Sequence, residues 1–212
     1  RKECINLHPS LLPRFRGASP IQSALLLGDT KTGLTLIQIN EQMDAGDVVA
    51  QEEVPIESND TYVTLEKKLS ELSAEFVEKS LEKFLNGRLV PKPQKKENIT
   101  SCYEIQREDG LIHFETESAE EIIRKFRAFT VWPGIFTFFQ KERLKIHEID
   151  CEAEKKQGDP GKIFKMPDNT IAVYAKKDAI RLKIVQLEGK KSLEIQAFTV
   201  GMPDFIDAVL GK

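Results

Sequence analysis

Two polar residues near the start of the chain have side chains that suit transfer of an acyl or formyl group to an amine. Asn6 and His8 stand two apart in a short run of β-forming residues, and residues two apart in a strand point to the same side. The histidine can hold or move a proton near neutral pH, and the asparagine amide can donate to a tetrahedral oxyanion. The pair therefore predicts a reaction centre at the end of this strand, where open α/β sheets place their ligands.

A third polar residue, Asp44, lies in the glycine-containing turn Met43-Asp44-Ala45-Gly46-Asp47. Its carboxylate would orient the His8 imidazole and favour the cationic form of the ring, provided that the strands preceding the two residues are neighbours. An Asn-x-His strand end or an Asp-x-Gly turn is common as plain structure when it occurs alone. Together they define the candidate catalytic set Asn6, His8 and Asp44.

The elements that must position these residues alternate between strand and helix. The pattern predicts strands over 3–7, 33–40 and 48–56, a helix from Pro20 to about Leu27 that stops at Gly28, and a long helix from Asp60 or Thr61 to Gly87. Ser19 is the expected N-cap before Pro20. This order is α/β, yet too short for a doubly wound sheet of about five to seven strands. We therefore expect further strands upstream of the sequence given.

A different pattern follows residues 88–98, which include two prolines and four basic residues and predict an extended linker. After it, an amphipathic helix over 119–129 precedes short strands over 135–139, 143–149, 161–164, 170–175, 179–187 and 192–198, and a closing helix over 203–210. Closely spaced short strands are typical of a small barrel. We predict two domains, 1–87 and 99–212.

The run from Asn6 to Gln22, NLHPSLLPRFRGASPIQ, resembles the signature of formyltransferases that use 10-formyltetrahydrofolate, and the turn at 43–47 follows in that family's order. The resemblance implies the C-terminal half of a Rossmann-like formyltransferase domain that needs no metal. It implies catalytic roles for Asn6, His8 and Asp44, and a loop lying against the folate, formed by Ser10, Leu11, Leu12 and Pro13. Arg14 and Arg16 lie on the same loop and are candidates for a substrate contact, with a role in the structure of the loop as the alternative.

The second block resembles the C-terminal OB-like barrel domain of methionyl-tRNA formyltransferases, through Glu108–Ile112, Ile123–Phe129 and Trp132-Pro133-Gly134. This resemblance implies formyl transfer from 10-formyltetrahydrofolate to the α-amine of methionyl initiator tRNA, in translation initiation. Folate and that tRNA would be the partners, and the full-length protein would be a monomer. Trp132 is interpreted as a packing residue, with base stacking as the alternative.

Other readings of the second block stay open. Sugar-nucleotide formyltransferases and formyltetrahydrofolate dehydrogenases carry a related second domain, so the acceptor could be a sugar-nucleotide amine or water. Glycinamide ribonucleotide formyltransferases resemble only the first block. A non-catalytic RNA-binding fragment is a further alternative.

Four positions depart from the family pattern, and none belongs to the catalytic set. Ser23 stands where a larger, often basic residue is common, and Glu104 stands where Lys is common. His113 and Phe114 replace a common Asp and a common Trp. Glu104 removes an expected basic contact of the second domain.

The composition of the chain limits its location and the partners that it could bind. Hydrophobic residues make up 40% and charged residues 31%, and every apolar run is far shorter than the ~20 residues that cross a bilayer. We expect a cytoplasmic protein without membrane contact, although an organellar address stays open because the sequence begins with Arg1. The three cysteines, Cys4, Cys102 and Cys151, lack metal-site spacing and fit free thiols in a reducing compartment. The net charge is −3, with −5 over residues 1–87 and +2 over 88–212, so the second block is the better candidate to meet a polyanion.

Overall fold

The computed structural model describes residues 4–211. The chain forms two compact units, the first ending at Ile105 and the second beginning at Gln106. The predicted linker at 88–98 lies inside the first unit. In the described range, no helix is long and apolar enough to span a membrane.

The first unit contains the strands and helices that the sequence predicted, with most ends within two residues of the prediction. In chain order they are β1 (Ile5–His8), β2 (Arg16–Gly17), α1 (Pro20–Leu27), β3 (Lys31–Gln38), β4 (Val48–Pro55), α2 (Tyr62–Leu85) and β5 (Ser101–Cys102). The two-residue strands β2 and β5 were not predicted. Glu3, the predicted first residue of β1, lies outside the described residues.

The main sheet of this unit has the strand order β1-β3-β4, and both pairings are antiparallel. The central strand β3 is buried from Thr32 to Ile37, as expected for a strand with neighbours on both edges and a helix packed on it. The register places Asn6 opposite Ile37 and His8 opposite Thr35. The strand that carries the histidine is thus a direct neighbour of the strand that leads to Asp44.

The two helices lie close to their predicted bounds, but Ser19, the expected N-cap of α1, makes no side-chain cap hydrogen bond, because its hydroxyl donates to the carbonyl oxygen of Tyr103. Gly28 adopts a left-handed conformation with φ 72° and closes α1. Thr61 caps α2, because its hydroxyl accepts a hydrogen bond from the backbone N–H of Thr64. Along α2 the apolar residues Leu65, Leu69, Leu72 and Phe76 recur at helical spacing. Leu65, Leu69 and Phe76 are buried and Leu72 is half-buried.

After α2 the chain stays extended, as predicted, but it is held on the first unit. Lys92 and Val48 exchange backbone hydrogen bonds of 2.8 and 2.9 Å. Further along, β5 pairs in parallel with β2, with Ser101 opposite Arg16 and Cys102 opposite Gly17. This segment is therefore part of the scaffold around the candidate site.

The second unit contains α3 (Ala119–Ala128), β6 (Ile135–Phe139), β7 (Glu142–Ile149), β8 (Ile163–Lys165), β9 (Ile171–Tyr174), β10 (Ala179–Leu187), β11 (Leu193–Glu194) and α4 (Ile195–Gly201). Its antiparallel sheet runs in the order β6-β7-β10-β9-β8, with β11 paired to β10. Ile122 and Ile123 of α3 are buried. The inner residues of the strands include Leu144, Ile163, Val173 and Ile180, all fully buried.

Two predictions for the end of the chain are wrong. The segment 192–198 is not one strand, because α4 begins at Ile195 and buries Ile195 and Phe198 at helical spacing. The segment 203–210 is not a helix beyond a short 3₁₀ turn at Pro203–Phe205. The backbone leaves helical geometry directly after this turn, because Ile206 is extended, with φ −67° and ψ 137°, and Asp207 is left-handed, with φ 64°.

Candidate active site

The His8 side chain is buried, with 4% of the residue exposed, and its two ring nitrogens meet different partners. Nε2 lies 2.8 Å from the carbonyl oxygen of Phe15. A carbonyl oxygen only accepts, so Nε2 carries a hydrogen and donates it. Nδ1 then faces Asp44, with 3.6 Å between Nδ1 and Oδ2. The Phe15 carbonyl therefore fixes the ring orientation that presents Nδ1 to the carboxylate.

Asp44 lies in the loop between β3 and β4 and has a left-handed backbone conformation, with φ 49°. The same Oδ2 that faces His8 accepts a 2.9 Å hydrogen bond from the backbone N–H of Gly17. Two residues later, a Cβ on Gly46 would lie 1.6 Å from the carbonyl oxygen of Gln38. Only glycine lets the loop fold back closely enough on β3 to bring Asp44 to His8.

Asn6 and Asp44 line one cavity of about 350 Å³. Its walls are partly apolar, from Ile37, Ile39 and Met43. The structure thus brings Asn6 to Asp44 across a cavity, and it brings His8 Nδ1 within 3.6 Å of Asp44 Oδ2. The cavity has room for the reacting end of a small substrate between an amide donor and a carboxylate.

The loop after β1 is held rigidly by internal hydrogen bonds. Ser10 is 0% exposed, and its hydroxyl donates to the carbonyl oxygen of Arg14 at 2.7 Å. Thr35 of β3 donates to the carbonyl of Ser10 at 2.5 Å and accepts from the N–H of Leu12 at 3.2 Å. Ser10 and Leu12 face inward, whereas Leu11 and Pro13 are half-buried. Of the four loop residues predicted to lie against a folate, these last two have accessible side chains.

The two arginines of this loop both have partners within the chain. Nη2 of Arg14 donates to both carboxylate oxygens of Asp29, at 2.9 and 2.6 Å. Arg14 and Leu11 line a separate cavity of about 290 Å³ with Asp29 and Thr32. The structure therefore does not bring Arg14 into the cavity of Asn6 and Asp44. Arg16 donates through Nε and Nη2 to Oε1 of Gln94, at 3.1 and 2.7 Å.

Gln94 is a residue of the site that the sequence did not reveal. Its Nε2 donates to the carbonyl oxygens of Asp44 and Gly46, at 2.7 and 2.9 Å. It lies in the segment predicted to be a solvated linker, some 50 residues after Asp44. No local pattern in the sequence indicates such a contact.

The second unit has a groove of its own, of about 340 Å³, which we call the Trp132 groove. Its lining includes four phenylalanine or tryptophan side chains and three arginine or lysine side chains: Phe126, Phe129, Trp132, Phe136, Arg107, Arg143 and Lys145. Trp132 is 52% exposed, so packing alone does not account for it. The Arg143 guanidinium lies 3.6 Å from the centre of the Phe136 ring, and its buried Nε has no hydrogen-bond partner among the described residues.

Thiols and acidic clusters add little to the site. Cys4 and Cys151 are exposed, Cys102 is buried, and all three are free. Over residues 4–211, no group of three or more His, Cys, Asp or Glu side chains is arranged to hold a metal ion.

The two blocks match two family models. Residues 1–81 match the formyl transferase model, and residues 104–203 match the model of the formyl transferase C-terminal domain. The chain belongs to the formyl transferase family. Within that family it is similar to the methionyl-tRNA formyltransferase of a Nitratiruptor species, at 41% identity over 93% of this chain and 63% of that protein. It is also similar to the methionyl-tRNA formyltransferase of Acidiphilium cryptum, at 39% identity over 100% of this chain and 67% of that protein.

Solved structures share the fold at low identity. HypX from Aquifex aeolicus in complex with tetrahydrofolic acid superposes with a TM-score of 0.68 at 21% identity, over 96% of this chain and 36% of HypX. The N-formyltransferase from Helicobacter canadensis in complex with folinic acid and dTDP-3-aminofucose gives a TM-score of 0.66 at 19% identity, over 84% of this chain and 65% of that protein. The chain spans 63% of the length of the first of its curated relatives.

Proposed function

We propose that the protein is a methionyl-tRNA formyltransferase, which transfers a formyl group from 10-formyltetrahydrofolate to the α-amine of methionyl initiator tRNA. The observation that carries this proposal is the alignment of His8 Nδ1 with Asp44 Oδ2 at 3.6 Å, beside a cavity lined by Asn6. The acceptor is supported by relatives of 33–41% identity with that name, which match more than nine-tenths of the chain.

Each catalytic side chain has one task in the proposed reaction. The amine nitrogen attacks the formyl carbon, and the carbonyl electron pair moves onto oxygen. The amide N–H of Asn6 donates to that oxyanion, and the positive charge of a protonated His8, whose two ring nitrogens face Phe15 and Asp44, stabilises it further. When the tetrahedral species collapses, the bond between carbon and N10 breaks, and the proton lost by the amine passes to N10. Asp44 holds the cationic imidazole and can relay that proton.

The attacking amine needs little help to become neutral. Free α-amines have a pKa of about 7.7–8.0, so a usable fraction is deprotonated near neutral pH. The main work of the site is therefore to stabilise the oxyanion and to orient the two substrates, rather than to remove a proton before attack.

The donor would be held by the cavity of Asn6 and Asp44. Ile37, Ile39 and Met43 offer an apolar wall to the folate, and the polar side chains of Asn6 and Asp44 would face its formyl group. The accessible loop residues Leu11 and Pro13 are the candidates for further folate contact, since Ser10 and Leu12 are buried. Arg16, which neighbours the Gly17 N–H donor to Asp44, is a better candidate for acceptor contact than Arg14.

The two units would have separate tasks. We take the first as the C-terminal half of a Rossmann-like catalytic domain, and the second as an OB-like barrel that contacts the tRNA. The Trp132 groove supports RNA contact, because an exposed indole can stack on a base while Arg107, Arg143 and Lys145 neutralise phosphates. The protein would act as a cytoplasmic monomer.

One assay tests the proposal and its nearest alternative. The full-length protein is incubated with formyl-labelled 10-formyltetrahydrofolate and methionyl initiator tRNA, and we expect label on the methionyl amine. Uncharged tRNA, which has no such amine, is the control. In a second incubation, a dTDP-amino sugar replaces the tRNA. Label on the amine of that sugar would favour the sugar-nucleotide class, to which the fold is also similar. Formate released without transfer would favour a hydrolase.

A further inference from the structure

The Gln94 side chain joins three parts of the first unit through one carboxamide. Its Nε2 donates to the carbonyl oxygens of Asp44 and Gly46, at 2.7 and 2.9 Å. Its Oε1 accepts from Nε and Nη2 of Arg16, at 3.1 and 2.7 Å. A primary amide has two donor hydrogens and an acceptor oxygen with two lone pairs, so this side chain is fully used.

These bonds act on the backbone that carries the Asp44 carboxylate. Asp44 has φ 49°, in the left-handed region that non-glycine residues seldom adopt. Gln94 holds the carbonyl of this residue and that of Gly46, two positions later. On its other side it holds Arg16, whose neighbour Gly17 donates its N–H to Asp44 Oδ2 at 2.9 Å. One side chain thus connects the Asp44 loop to the strand that supplies the carboxylate's hydrogen-bond donor.

We propose that Gln94 is a positioning residue that keeps the Asp44 carboxylate at His8 Nδ1, an inference that rests on the proposed role of Asp44. Gln94 contacts neither the His8 ring nor the Asp44 carboxylate through any hydrogen bond found in the described chain. Its effect on the reaction therefore passes through the position of Asp44. A misplacement of about 1 Å at such a group can cost on the order of 10²-fold in rate.

The substitution that tests this is Gln94→Glu, which keeps the size of the side chain and an acceptor for Arg16. The carboxylate has no hydrogens for the carbonyls of Asp44 and Gly46, and it places negative charge against both. We expect kcat to fall by about 10- to 100-fold, with the KM for the folate little changed. Gln94→Ala, which leaves space for water, is the second variant in case Gln94→Glu folds poorly.

The matched control is Asn98→Asp, which makes the same change from amide to carboxylate on the same segment, at an exposed side chain. It should leave kcat, KM and the melting temperature unchanged. A loss of kcat in Asn98→Asp equal to that in Gln94→Glu would assign the effect to charge on the segment and overturn the proposal.

A double substitution separates positioning from general scaffolding. If Gln94 acts only through Asp44, Gln94→Glu added to Asp44→Asn should reduce kcat no further. Additive losses would overturn the proposal, and so would a Gln94→Glu enzyme as active as the unsubstituted one. The proposed function has its own test, since it is wrong if the unsubstituted protein transfers no formyl group.

A readout independent of turnover follows from the three histidines of the chain. NMR of histidine-labelled protein should show the His8 ring signals moved by Gln94→Glu and by Asp44→Asn, but not by Asn98→Asp. His113 and His147 lie in the other unit and serve as internal references. Unmoved His8 signals in Gln94→Glu would contradict the inference even if no activity were detected.

Discussion

His8 donates through Nε2 to the carbonyl oxygen of Phe15 at 2.8 Å, and this bond determines that Nδ1 is the nitrogen facing Asp44. Because the carbonyl only accepts, Nε2 keeps its hydrogen in both the neutral and the cationic ring. The Phe15 carbonyl and Asp44 thus fix the orientation of the His8 ring from both of its nitrogens. In the proposed reaction, His8 therefore stabilises the oxyanion through the charge of the ring.

The charge on Asp44 should matter more than its shape. Asp44→Asn keeps an oxygen that can accept from the Gly17 N–H, but it has no charge to hold a proton on His8 Nδ1. We expect kcat to fall by about 10²–10³, as for loss of one oxyanion donor. Steady-state kinetics of formyl transfer measures this.

The control for Asp44→Asn is Asp47→Asn, the same change three residues further along the loop. Asp47 is half-buried but does not line the cavity of Asn6 and Asp44, so its substitution should leave the rate within about twofold of the unsubstituted enzyme. An Asp44→Asn enzyme with near-normal turnover would overturn the catalytic assignment of Asp44.

Asn6 should contribute through its amide hydrogens. Asn6→Asp preserves size but replaces the donor with a carboxylate, which would repel a developing oxyanion. We expect kcat to fall by about 10³ or more, and KM for the folate to change much less. Asn6→Gln keeps the amide donor but displaces it, so its kcat should lie between that of the unsubstituted enzyme and that of Asn6→Asp. If Asn6→Asp and Asn6→Gln lose the same activity, donation from Asn6 is not the cause.

The parts of the site that the sequence predicts are those with a local signature. Asn6 and His8 follow the two-residue period of a strand, and Asp44 and Gly46 lie in a turn with a recognisable composition. Their meeting required only that β1 and β3 be neighbours, which the register confirms.

The parts that the sequence does not predict depend on contacts between distant residues. Gln94 lies between prolines and lysines, a composition that predicts solvent exposure, yet its amide bonds to a loop some 50 residues earlier. The backbone carbonyl of Ser10 likewise accepts a hydrogen bond from the hydroxyl of Thr35, 25 residues later on the neighbouring strand. At α4, Leu193, Ile195 and Ala197 alternate as in a strand, while Ile195 and Phe198 have helical spacing. Because Ile195 and Phe198 are the buried residues, the segment from Ile195 onward forms a helix and not a strand.

The Trp132 groove should contribute to tRNA binding by two separable means. Lys145→Gln removes one phosphate contact, so the slope of log K against log salt should fall by about 0.9. Trp132→Ala removes a stacking surface, which costs about 1–3 kcal/mol per base without changing that slope. Filter-binding or fluorescence titrations with initiator tRNA at several salt concentrations measure both.

Lys165→Gln on β8 is the control for the groove, because this exposed lysine is not among the groove's lining residues. It should leave the affinity for tRNA nearly unchanged. Equal losses for Lys145→Gln and Lys165→Gln would indicate a diffuse charge effect. No loss in Lys145→Gln or Trp132→Ala would remove the groove from the proposed interface.

Asp60 should make the stability of the protein depend on pH. Burial of its side chain, which is 7% exposed, would raise the pKa of the carboxyl. Hydrogen bonds from Lys68, the backbone N–H of Glu57 and the Thr64 hydroxyl outweigh burial, so the pKa of Asp60 lies below its usual 3.8. A carboxyl with a lowered pKa in the folded state stabilises it above the unfolded pKa. That stability is lost as the pH falls through the folded pKa.

Asp60→Asn tests this dependence. We expect the free energy of unfolding at pH 7 to fall by about 1.5–3 kcal/mol, the usual contribution of hydrogen bonds to a charged group. The difference between the two proteins should shrink as the pH is lowered below the unfolded pKa of the carboxyl. Urea denaturation at pH 7 and at successively lower pH values measures it. Glu71→Gln, an exposed change on the same helix, should have little effect at any pH. A constant difference between Asp60→Asn and the unsubstituted protein across this range would show that the carboxyl is not perturbed in the folded state.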